Sequence, residues 1–158
     1  MAKTSSRKLK AVPHLCLSYF EEAVSHAERF APDKWSVNGR SGMIRLVVGK
    51  IIVISLEGGR IWAALDASLL AGRGDLAKKL FDSTSWEWDE TTYPKYIVVS
   101  SKNGFLSPEQ DSDGVWPAVR ELLFSLIDRS AESVNALPIR SRRAHDPGLV
   151  QAIRTELS

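Results

Sequence analysis

The sequence predicts an α+β domain: a strongly bent, barrel-like antiparallel sheet of about five or six strands, packed by two long helices and followed by a short C-terminal helix. Three observations carry this prediction. Val- and Ile-rich segments over 34–65 are punctuated by Asn38-Gly39, Gly49-Lys50 and Gly58-Gly59, tight turn signals that join neighbouring strands as hairpins. Long segments on either side of the strands carry apolar residues at helical spacing. The 158 residues and 44% hydrophobic content suit one ordinary domain with its own core.

Residues 1–12 are polar and basic without periodicity and read as a flexible tail, leaving 13–158 as a single domain. After Pro13, Leu15, Tyr19, Phe20, Ala23, Val24, Ala27 and Phe30 fall on one stripe of a helix that Ala31-Pro32-Asp33 ends. Glu21, Glu22, Ser25, Glu28 and Arg29 take its other side, so the apolar stripe has a sheet to cover. Strands are expected over 34–37, 43–48, 51–56 and 60–65. In the second, Ile44, Leu46 and Val48 form an apolar face and put Arg45 on the opposite one.

Beyond these, 75–81 reads as a short amphipathic helix, and 85–88 and 96–100 as two more strands joined by an acidic segment. The polar loop over 101–114 leads to a second long helix, striped by Val119, Leu122, Leu123, Leu126 and Ile127, with Pro117 in its first turn. At the end, Asp146 as N-cap and Pro147 as first helical residue start a terminal helix over 147–156.

Composition narrows the function classes. No run of about 18 apolar residues is present to cross a membrane, and no signal-peptide pattern follows the basic start, so a cytoplasmic location is expected. Cys16 is the only cysteine, which removes intramolecular disulfides and thiolate zinc sites. The net charge of +2 divides unevenly: residues 1–80 carry 13 Lys/Arg against 7 Asp/Glu, and residues 81–158 carry 8 against 12. A basic half suits phosphate attraction; a small net charge equally suits plain solubility.

Catalytic signatures are missing from the sequence. His14, His26 and His145 form no ligand pattern, and no phosphate-cradling glycine loop or nucleophile elbow occurs. Glu87, Asp89, Glu90 and Lys95 lie close together, but an exposed acidic turn explains them without a metal. No catalytic residue, metal or cofactor is therefore expected. More suggestive are the five tryptophans. Trp86 and Trp88, two apart on a strand, share a face where a base can stack or a helix can sit. Arg40, Arg45, Lys50 and Arg60 lie at or near hairpin turns, and Arg140, Arg142 and Arg143 cluster before the last helix; guanidinium groups so placed can hold phosphates.

Three stretches read together resemble an accessory, non-catalytic module found at the front of predicted HNH-type restriction endonucleases and in small stand-alone relatives. They are 20–56, with Asp33-Lys34-Trp35-Ser36-Val37 and Ile44-Arg45-Leu46-Val47-Val48-Gly49; Arg60-Ile61-Trp62; and Arg142-Arg143-Ala144-His145-Asp146-Pro147. The resemblance covers about half the chain and implies recognition of DNA, modified DNA included, with the cutting activity on a separate partner. Sheet-based base readers of the PUA, EVE and YTH type are a looser analogy. The function expected is thus a non-catalytic DNA-binding module in which Arg40, Arg45, Arg60, Arg140, Arg142 and Arg143 attract phosphates and Trp86 or Trp88 stacks a base. The alternatives are a protein-interaction or regulatory module with tryptophan hot spots and a small metal-dependent enzyme using 87–95.

Overall fold

The computed structural model describes residues 9, 12–40, 42–49, 51–57, 60–66, 72–75, 78, 86–89, 91, 96–101, 115–132 and 145–158. Helix α1 (His14–Phe30) precedes strands β1 (Trp35–Arg40), β2 (Met43–Val48), β3 (Ile51–Glu57) and β4 (Arg60–Asp66); β5 (Trp86–Asp89), β6 (Tyr96–Ser101), α2 (Val115–Glu132) and α3 (Pro147–Leu157) follow. The α+β class read from the sequence holds. Most of the short helix expected over 75–81, the loop over 102–114 and the arginine cluster over 140–143 lie outside the described residues.

The first four strands make a meander, and β6 then inserts beside β4 to give the order β1-β2-β3-β4-β6-β5 in one six-stranded sheet. Every neighbouring pair is antiparallel. The sheet is open and not barrel-like, since β1 and β5 end the strand order without pairing to each other. A barrel removes its edges by joining its end strands. Here the outer edge of β1 is met by the chain entering α3: the Asp146 N–H donates to the Val37 carbonyl at 2.7 Å, and the Val37 N–H donates to His145 Nδ1 at 3.0 Å.

Tight hairpins join β1 through β4, but the first turn is displaced from its expected place. Asn38-Gly39 lies inside β1, whose register continues through Gly39↔Ile44 and Arg40↔Met43. The left-handed backbone falls instead on Gly42, at φ 81, which a residue without Cβ adopts at no steric cost. Asn38 is free to stay extended because its side chain is engaged across the sheet by Arg45, not by its own backbone. At the next turn Gly49, at φ 62, carries the chain from Val48 to Ile51.

The core lies between one face of the sheet and the helices. Val37, Leu46, Ile54, Ala63, Val99 and Trp88 form a row across all six strands through successive register pairs, and their side chains belong to or pack against a single apolar cluster. The helices add Phe20, Val24, Leu122, Ile127, Leu149 and Ile153 to it; each such side chain contributes about 1.5–3 kcal/mol on burial. Leu9 falls within the stretch read as a polar tail, yet it is 1% exposed and part of the core.

Where α1 meets α2, Tyr19 stacks on Trp116 with ring centroids 4.1 Å apart, and Trp86 lies parallel beyond it at 6.4 Å. Burying an indole needs a partner for its one polar atom. Glu22 supplies it, accepting from Trp116 Nε1 at 2.6 Å while its other oxygen accepts from Arg120 at 3.0 Å. The terminal helix is fixed to α1 by Arg154, which donates to Glu21 and Glu28, and starts as its sequence signals, with Asp146 capping the Leu149 N–H at 3.0 Å.

Candidate nucleic-acid interface

Strand alternation that buries one row must present the next on the other face. Among the described residues that second face carries no helix. Its central row reads Asn38, Arg45, Ser55, Trp62, Ser100 and Glu87, again one residue from each strand in register. The same alternation places Arg60 beside Trp62, two residues along β4. Apart from Trp62 the row is polar, and Asn38, Ser55 and Ser100 in it are buried, at 8%, 6% and 4% exposure.

The cations of this face are held in defined positions. The Arg60 guanidinium sits over the Trp62 ring, 4.7 Å from its centroid. Its Nε donates to the Ser101 carbonyl at 2.9 Å, and a second nitrogen donates to Ser100 Oγ at 3.2 Å and lies 3.6 Å from the Glu87 carboxylate. Such fixing leaves little side-chain entropy to lose on binding. Arg45 donates from Nε and from a terminal nitrogen to the Asn38 carbonyl oxygen, at 3.2 and 3.0 Å. Both arginines are half-buried and retain unused donors.

Beside Trp62 and Ser55 the sheet surface is hollow. A cavity of about 630 Å³ is lined by Met43, Ile52, Ser55, Glu57, Trp62 and Val98 among others, within the size range of small-molecule sites. Ile52 at its margin is 43% exposed, one of two large apolar side chains so exposed among the described residues. The Trp62 indole N–H is shielded from solvent and has no hydrogen-bond partner, an unsatisfied donor of the kind that costs about 1–3 kcal/mol.

Not all the residues expected to form a site meet here. Arg45 and Arg60 do. Trp86 and Trp88 share a face, as their spacing requires, but it is the helix-covered one; Trp86 is 1% exposed and offers no ring face to a base. Arg40 ends β1, with its side chain outside the described residues, as are Arg140, Arg142 and Arg143. Of the acidic segment, Glu87 is exposed near Arg60, and Asp89 accepts from the Thr91 N–H at 2.9 Å. No group of three or more His, Cys, Asp or Glu among the described residues is arranged to hold a metal ion.

No family model, curated protein or solved structure matches the chain. The likeness to accessory modules of HNH-type endonucleases therefore stands on the quoted residues alone. Trp62 is the residue that sequence reasoning passed over, and the signal was present. Arg60-Ile61-Trp62-Ala63-Ala64-Leu65 alternates around a buried Ile61, Ala63 and Leu65, so the spacing of two that pairs Trp86 with Trp88 also pairs Arg60 with Trp62.

Proposed function

We propose that the chain is a non-catalytic recognition module that binds DNA on the helix-free face of its sheet. The carrying observation is the Arg60-covered Trp62 ring on the wall of the cavity, with Arg45 in the same cross-strand row. An aromatic surface stacks any base, and flanking guanidinium groups pair with phosphates. The hollow is large enough for a base turned out of its stack, including one carrying a modification. In this reading any cutting activity belongs to a separate protein partner.

Fluorescence anisotropy against labelled single-stranded, duplex and base-modified DNA tests the proposal. Trp62→Ala is expected to weaken binding by about 1–3 kcal/mol, the usual worth of one stacked base. Arg45→Ala is expected to weaken binding to all sequences alike and to lower the salt slope by about one unit. Equal affinity in a folded Trp62→Ala protein sinks the assignment.

One observation favours a second reading, a protein-interaction module: the cavity wall is mainly apolar, with Met43, Ile52 and Val98, and would also receive an apolar side chain of a protein partner. Absence of DNA binding even at low salt, with a partner whose capture Trp62→Ala abolishes, selects that reading.

A further inference from the structure

An edge strand exposes a line of unpaired N–H and C=O groups, and proteins blunt such edges because they pair readily with other chains. On β1 the outward-facing groups of Val37 are both taken, one by a backbone group and one by a side chain. The carbonyl accepts from the Asp146 N–H at 2.7 Å, a bond no proton in the ordinary range disturbs. The N–H donates to His145 Nδ1 at 3.0 Å. That second bond exists only while Nδ1 carries a lone pair, so it requires the neutral imidazole with its proton on Nε2.

The surroundings make His145 the fastening of a whole element. Its ring meets Trp35 edge-on, with centroids 4.8 Å apart. The next residue, Asp146, caps α3, and one turn later Leu149 lies against Gly39, where an added Cβ would come within 3.5 Å of its side chain. The edge of β1, the cap of α3 and the first apolar contact of α3 are thus contiguous.

We propose that His145 is a proton-sensitive clasp: charging its imidazole turns Nδ1 from acceptor to donor, sets it against the Val37 N–H, and releases residues 145–146 and the start of α3 from the β1 edge. The consequence is an edge strand open to pairing at acidic pH and closed at neutral pH. The charged and titratable groups around the clasp are few among the described residues. Asp146 beside it favours the charged ring, but burial disfavours that form more strongly, so the imidazole titrates below its ordinary value. Trp35, Ser36 and Val37 on β1 carry no charge, and Lys34 precedes them. Arg45 is turned to the other face and bonded to Asn38. Arg154 on α3 is occupied by Glu21 and Glu28 on α1.

The test is amide hydrogen exchange at Val37, corrected for the intrinsic effect of pH, followed from about pH 8 to about pH 5, the interval in which histidine changes charge. The parent is expected to lose protection as pH falls from the ordinary imidazole pKa toward the lowered folded value, by up to about tenfold per pH unit within that window, and to level off below it. His145→Asn offers an oxygen acceptor that does not titrate, and its protection at Val37 should stay level across the interval. His145→Phe keeps an aromatic ring without an acceptor and should be unprotected at both ends. The ¹⁵N shift of His145 Nδ1 should titrate together with the loss of protection. Level protection in the parent, or the same loss in His145→Asn, overturns the proposal.

Discussion

At the scale of single residues, two tryptophans that look alike in sequence have opposite surroundings. Trp86 is a core residue at 1% exposure, stacked beside Trp116, whereas Trp62 is half-buried on the cavity wall. Trp86→Ala should therefore cost about 3–5 kcal/mol of stability, the usual cost of removing a buried tryptophan, measured as a fall in urea midpoint. Trp116→Phe keeps a ring against Tyr19 but removes the N–H that Glu22 accepts; because Glu22 is 36% exposed and keeps its bond to Arg120, a loss of about 0.5–1.5 kcal/mol is expected. The alternation along β4 made Trp62 legible. What the sequence could not supply was which side of the sheet the helices cover, because Trp86 and Trp88 satisfy the spacing rule for either face.

Among the elements, α3 shows how much local sequence can specify. Asp146 and Pro147 mark its start, and the cap forms as their chemistry requires. Asp146→Ala should cost about 0.5–2 kcal/mol, read from thermal or urea unfolding. Its docking was less legible, since the acceptor for the Val37 N–H comes from 108 positions away. That docking gives overall stability a pH dependence of definite sign. The folded-state pKa of His145 is depressed, so the unfolded chain binds the proton more readily. The stabilisation is complete above the ordinary imidazole pKa and is lost as pH falls from there through the folded value. Urea midpoints compared between the parent and His145→Asn should diverge in that window and coincide above it. The displaced first turn has a similar origin: Asn38-Gly39 has turn chemistry, but Arg45 engages the Asn38 side chain and the reversal moves to Gly42.

For the whole molecule, five arginine–carboxylate ion pairs among the described residues join the basic first half of the chain to the acidic second half. Glu22 pairs with Arg120, Glu21 and Glu28 with Arg154, Arg60 with Glu87, and Arg73 with Glu121. Each exposed pair is worth about 1 kcal/mol or less; three of the five use carboxylates of the first half and arginines of the second, so they tie the halves together without cancelling the excess charge of either. Composition could not foresee this, because it does not record which residues meet. The fold class was legible because hairpin signals and helical stripes are local; the open sheet was not, because closure depends on what lies beside β1. The strand order also carries a kinetic consequence. Residues 35–66 close their pairings over short loops, while β6 must return to β4, and Arg154 must reach Glu21 across 133 positions. Short-range pairings form before long-range ones repay their loop entropy, so pulse-labelled refolding should protect amides of β2 and β3 first and that of Val37 among the last. Until then the nascent meander has an unguarded side at β1, which residues 145–146 cover at Val37 once they dock.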